Sequence, residues 1–178
     1  AEHRTPAIVQ DLARTEQQKG NFAEARNLYR SALGLSGQQI DAQIDSTNLS
    51  SAFAQGMVDV KLLTEYALFE YHRAPESPYP TALLRTAVEA DIADAHLHHV
   101  LGRVLTRQGD VPGAISIYSE AERRFPKSAS FFRLAIAQFQ PTPKARAEAL
   151  RAAIEEGVAD ATLYTEYALL LKSLGQIK

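Results

Sequence analysis

Three histidines, His96, His98 and His99, fall within one helical turn of each other, and imidazole is a common ligand of zinc and other transition metals. On a helix His96 and His99 share a face while His98 points elsewhere. The carboxylates nearby, Asp91 and Asp94, lie upstream beside a turn, off the helical spacing that would complete a site. Packing and surface lining are therefore the reading for these rings, and no metal or other cofactor is expected. Paired acids such as Glu155–Glu156 and Glu120/Glu122 could in principle move protons. Their positions place them on solvated helix faces. The sequence has no cysteine, no phosphate-cradling glycine loop, no HExxH and no nucleophile elbow. Catalysis is not expected of this chain.

The elements that would carry these groups are helical. A net charge of −2 over 178 residues argues against a generally basic nucleic-acid binder or a polybasic membrane anchor. No apolar run approaches the roughly 20 residues that span a bilayer, so direct membrane insertion is not expected. The chain opens Ala-Glu-His-Arg without an initiator Met, which reads as a mature protein or an excised piece of a longer one. An excess of Arg (13) over Lys (6) in an alanine-rich chain points to a GC-rich bacterial genome, with the periplasm and the cytoplasm both open.

Three glycine-centred turns share one design: Gly20-Asn21-Phe22, Gly109-Asp110-Val111 and Gly175-Gln176-Ile177. Glycine suits the left-handed residue that ends a helix. Asn or Asp can cap the next, and the apolar residue folds back onto the core. From Ala95 to Ser128 the chain has Leu101-Gly102, Leu105, Gly109-Asp110, Ala114, Tyr118, Ala121 and Pro126. This resembles the tetratricopeptide repeat, a helical hairpin of about 34 residues. Its small residues let paired helices cross closely, while large ones such as Leu101 and Tyr118 fill the space between hairpins.

The same phase recurs. Residues 6–39 carry Leu12-Ala13, Gly20, Phe22, Ala25, Tyr29, Ala32 and Leu33. Residues 61–94 fit more loosely, with Ala74 to Pro80 replacing the glycine turn. Residues 129–160 are short across Gln140-Pro141-Thr142-Pro143, and residues 161–178 supply one more first helix. Thr64-Glu65-Tyr66-Ala67-Leu68 returns as Thr165-Glu166-Tyr167-Ala168-Leu169, one residue off phase. The fold expected is all-α: a single domain, a right-handed superhelix of antiparallel helix pairs, about four units plus a truncated last one. Aromatic residues are expected mostly in its core, with only one of Phe131 and Phe132 able to face inward.

Residues 40–60 interrupt the period. Asp45-Ser46-Thr47-Asn48 reads as a cap or turn. Leu49, Phe53, Met57, Val60, Leu63 and Ala67 then recur at three- and four-residue spacing, which favours one extended helix over about 47–73 with Gly56 inside it. An inserted separate helix is the alternative.

In the family resembled, the first helix of each unit lines a concave face that takes ligands. Carried over, that implies a partner-binding face of Gln10, Arg14 and Gln17, then Phe69 and Arg73, then His96, His99, Arg103 and Arg107, and finally Arg133. The family's carboxylate clamp uses asparagines that are missing at the matching positions here, so chaperone-tail recognition is not implied. Five arginines on one face suit an extended acidic peptide or chain terminus, because guanidinium presents a planar fork of donors to carboxylate. The expectation is a protein-interaction scaffold within a larger bacterial secretion, polysaccharide-export or assembly system. The alternatives are an accessory domain presenting substrate for a larger enzyme, and a structural module that oligomerises through its open end. The chain stops just after a turn where a further helix would begin, so either it continues or a partner or second copy packs there.

Overall fold

A computed structural model of the chain describes residues 5–35 and 40–176. Expectations that touch residues 1–4, residues 36–39 at the end of the first repeat, and Ile177 of the last turn lie outside these. All regular structure among the described residues is helical. The helices are α1 (Pro6–Gln18), α2 (Phe22–Ala32), α3 (Ala42–Ala54), α4 (Val60–Arg73), α5 (Tyr79–Glu89), α6 (Ala95–Arg107), α7 (Val111–Arg124), α8 (Ala129–Ala137), α9 (Pro143–Glu155) and α10 (Ala161–Ser173). They form two compact units, residues 1–104 and 105–178.

Helix ends are set by local chemistry. Gly20 and Gly109 take φ +82° and +83°, which costs glycine nothing and a side chain much. Past each of them the chain closes a bond back onto the helix just ended, Asn21 N–H to Glu16 O at 2.8 Å and Asp110 N–H to Leu105 O at 2.9 Å. Asp110 then caps α7 through Gly113 N–H at 2.9 Å. Asn21 departs from the expected cap: its amide donates to Glu16 at 2.7 Å and makes no cap bond to α2.

In the first unit α1 pairs with α2 and α4 with α5, as the hairpin pattern requires. The extended helix expected over 47–73 is not formed. α3 begins at residue 42 because Asp41, not the Asp45–Asn48 stretch, is its cap, accepting from Gln43 and Ile44 N–H at 3.0 and 2.9 Å. It ends at Gly56, φ +67°, where Met57 N–H bonds back to Ala52 O at 3.1 Å. Asp59 then starts α4 afresh through Leu62 N–H at 2.9 Å. α3 is thus an inserted helix, and it packs on α5 through the stripe Asp45, Leu49 and Phe53.

A charged residue heads that stripe because its partner waits in the core. Asp45 is fully buried and receives both Arg30 amino groups, at 2.5 and 3.2 Å. The Tyr79 hydroxyl donates to the same carboxylate at 2.6 Å and lies 3.2 Å from the Tyr66 hydroxyl. Four helices, α2 to α5, therefore meet at one polar knot. Burial holds the Tyr66 phenol up at about 12, against the opposing pull of its Arg30 and Tyr79 bonds.

That shift has a sign. The folded state holds this proton more tightly than the unfolded chain, whose tyrosine titrates near 10.0. Stability from it is whole below pH 10 and is lost as pH rises through about 12. Urea midpoints measured at pH 8 and pH 11 should therefore fall further for the wild type than for Tyr66→Phe. An equal fall in both would rule out Tyr66 as a contributor.

In the second unit α7, α8, α9 and α10 pack in succession. Tyr118 lies against Phe132 and Phe139, with ring centroids 6.0 and 6.4 Å apart. A second cluster gathers Ala137, Leu150, Ala153 and Leu163. Phe132 is the inward member of its pair, and Phe131 is 44 % exposed.

Candidate functional site

The residues expected to form one binding face divide by environment. On α1, Gln10 and Gln17 are half-buried and Arg14 is exposed. Arg14 is not idle: its guanidinium pairs with Glu65 of α4. Gln17 lies beside the Tyr29 phenol, whose pKa burial raises above its ordinary value.

Phe69 corrects an expectation. The repeat resemblance implies an accessible face for it, yet it is only 6 % exposed and packs among Tyr29 and Tyr66 at 5.7 and 6.4 Å. The reason is its two cationic covers. Arg26 lies 5.9 Å over the ring and Arg73 5.8 Å. Arg26 is itself fixed by a forked bond to Glu70, at 2.6 and 2.8 Å. Arg73 rests closer still on Phe22, at 4.3 Å. Such contacts hold a guanidinium by its face and fix where its donors point.

In the second unit Arg133 is committed to carboxylates. Its Nε and Nη2 donate to Glu122 at 2.9 and 2.5 Å, and Nη2 also donates to Glu156 at 2.8 Å. The Glu122 bond is the main reason its pKa rises, partly opposed by burial and helped by Glu156. A ligand carboxylate there would have to displace two glutamates.

Helix α6 is different. His96, Arg103 and Arg107 are exposed and His99 is half-buried, at a spacing of three, four and four residues that puts all four on one face. From His96 to Arg107 the row is about 16 Å long at 1.5 Å per residue. No carboxylate is bonded to Arg103 or Arg107 among the described residues. Burial, with the charge of Arg103 and then His96, lowers the His99 pKa. Burial in a poorly hydrated position is thus the main reason this ring holds its proton weakly, with the neighbouring charges adding to it.

His98 faces inward and is fully buried, its Nδ1 2.8 Å from the Asp94 carbonyl. Among the described residues no three metal-ligating side chains converge, and no helix is long and apolar enough to cross a membrane.

Two features escaped the sequence reading. The buried Arg30–Asp45 pair carried a faint signal, since Asp45 falls in register with Leu49 and Phe53. The pairing of Arg14 and Arg133 with glutamates 51 and 23 residues away carried none. No protein-family model matches the chain, and no curated protein matches it.

Proposed function

We propose that this chain is a protein-interaction module of the tetratricopeptide type, and that it holds an acidic peptide segment along the His96–His99–Arg103–Arg107 face of α6. One observation carries this reading. Arg14, Arg26, Arg30 and Arg133 each meet a carboxylate of the same chain, whereas Arg103 and Arg107 stand exposed with no carboxylate bonded to them among the described residues. Two forked donors one helical turn apart suit two carboxylates of an extended segment. Exposed imidazole and guanidinium groups offer binding, not an activated nucleophile, so the role is to hold. The assembly served would be a bacterial secretion, export or assembly system, which accords with the arginine-rich, lysine-poor composition.

The test is a titration of the whole chain with labelled peptides, one rich in Asp and Glu and one neutral of equal length. Arg103→Ala/Arg107→Ala should weaken the acidic peptide about fivefold to thirtyfold, from two charge contacts of roughly 0.5–1 kcal/mol each. Raising salt from 50 to 500 mM should erase most of the difference, since screening shortens the reach of exposed charges. Equal affinity of the wild type and the double variant for the acidic peptide would remove α6 as the site. His99 should add to binding only in acid, because its proton is held weakly at neutral pH.

A further inference from the structure

A charged side chain follows the apolar face of α9 into the second unit. Thr142 caps this helix through Ala145 N–H at 3.1 Å, which places Arg146 in its first turn. Leu150, one turn on, is 2 % exposed and belongs to the cluster of Ala137, Ala153 and Leu163. Residues four apart share a helix face, so Arg146 is drawn inward beside that leucine. Its Nε is buried and meets no hydrogen-bond acceptor among the described residues. A buried donor left so costs stability, and a guanidinium cannot escape the cost by shedding its proton.

Arg146 lines a cleft of about 210 Å³ where the end of α8 meets α9 and α10. Leu150, Leu169 and Leu170 give this cleft an apolar wall, and Glu166 lies in it one turn before Leu170. Glu166 and Leu169 are exposed, which leaves the cleft open to solvent. Gln138 and Ser173 complete the lining and are neutral, so Arg146 and Glu166 are its two charges. They do not neutralise each other: among the described residues neither makes an ion pair within 4.0 Å. A plain anion drawn to Arg146 would meet Glu166, and a plain cation drawn to Glu166 would meet Arg146. A molecule carrying both signs finds a partner at each. The volume lies below the about 300–1,000 Å³ of sites for drug-sized molecules, so that molecule is small.

We propose that this cleft binds a free α-amino acid with an aliphatic side chain, its carboxylate on Arg146, its ammonium on Glu166 and its side chain against Leu150, Leu169 and Leu170. Guanidinium presents a planar fork to the two oxygens of a carboxylate, and that fork includes the buried Nε. An ammonium brings three donors, for which the Glu166 carboxylate is the acceptor. The apolar wall then selects the side chain, since burying aliphatic carbon is favourable and burying an unpaired polar group is not. The α6 face shares no residue with the cleft, so either site can fail without the other.

The test is calorimetric titration of the full chain with leucine and three analogues, each to about 10 mM, a range that reveals millimolar dissociation constants. Isocaproate lacks the ammonium and isoamylamine lacks the carboxylate. N-acetylleucine stands for the last residue of a peptide. Leucine should bind about tenfold or more tightly than any of the three, the loss of one charged contact in each. Arg146→Gln should weaken leucine about tenfold and improve isoamylamine. Glu166→Gln should weaken leucine by about as much and improve isocaproate, because the repelling carboxylate is gone. Both variants should keep the helical circular dichroism of the wild type. If Arg146→Gln does not, the exposed Glu166→Gln decides by itself. Arg103→Ala/Arg107→Ala should leave leucine unchanged. No binding of leucine by the wild type overturns the inference, as does Glu166→Gln with no change of preference. N-acetylleucine binding as tightly as leucine also overturns it, since the occupant would then be a chain terminus.

Discussion

Asp45→Ala should destabilise the first unit by about 3–5 kcal/mol, the cost of breaking a buried ion pair and leaving one charge uncompensated. The side chains of Arg30 and Asp45 retain only 4 % and 1 % of their accessible surface. Removing the carboxylate strands the guanidinium in the core and strips the Tyr79 hydroxyl of its acceptor. The pair itself need not be net stabilising, since desolvating two charges offsets much of their attraction. Arg30→Met/Asp45→Leu should therefore recover most of what Asp45→Ala loses. Chemical denaturation followed by tyrosine near-UV circular dichroism reads both, as the chain has no tryptophan. A single-variant loss below about 1 kcal/mol would mean water reaches Arg30 once Asp45 is gone, and that α3 is held by Leu49 and Phe53 alone.

The second large effect is Phe132→Ala, expected to cost about 3–5 kcal/mol, against less than about 1 kcal/mol for Phe131→Ala. The neighbours differ only in direction. Phe132 is 1 % exposed and packs on Tyr118 of α7, while Phe131 meets the Phe132 ring edge-on, 5.3 Å away, from a largely exposed position. Truncating the inner ring opens a cavity between α7 and α8 that stiff helix backbones fill poorly. Truncating the outer one trims a ring that already stands largely in solvent. Thermal unfolding of the two variants side by side gives the comparison. Equal losses would mean that α8 is rotated from the orientation described, bringing both rings to the interface.

Much of the helical framework was legible because it is written locally. The three- and four-residue recurrence of apolar side chains, the left-handed glycines at 20 and 109, and the alternation of small and large residues each act within a turn or two of the chain. That was enough to specify paired helices before any long-range contact is considered. It also specified that one of Phe131 and Phe132 must face in. The stretch 40–60 departs from its local pattern. Its apolar spacing runs on almost unbroken, and only the φ of +67° at Gly56, with the fresh cap at Asp59, divides α3 from α4.

The candidate site was legible in its residues but not in their availability. Arg14, Arg103, Arg107 and Arg133 look alike in sequence. Glu65 of α4 reaches Arg14, and Glu122 and Glu156 reach Arg133, only because packing brings separate helices into register. Phe69 left the surface because Arg26 and Arg73 close over it, and Asp45 entered the core because Arg30 was already there. The sequence by itself determined where helices start, stop and turn their apolar faces, since backbone conformation and capping are short-range. Only the tertiary structure decided which charges are neutralised within the chain and which stand exposed, because an ion pair depends on the distance between groups that the chain order does not fix.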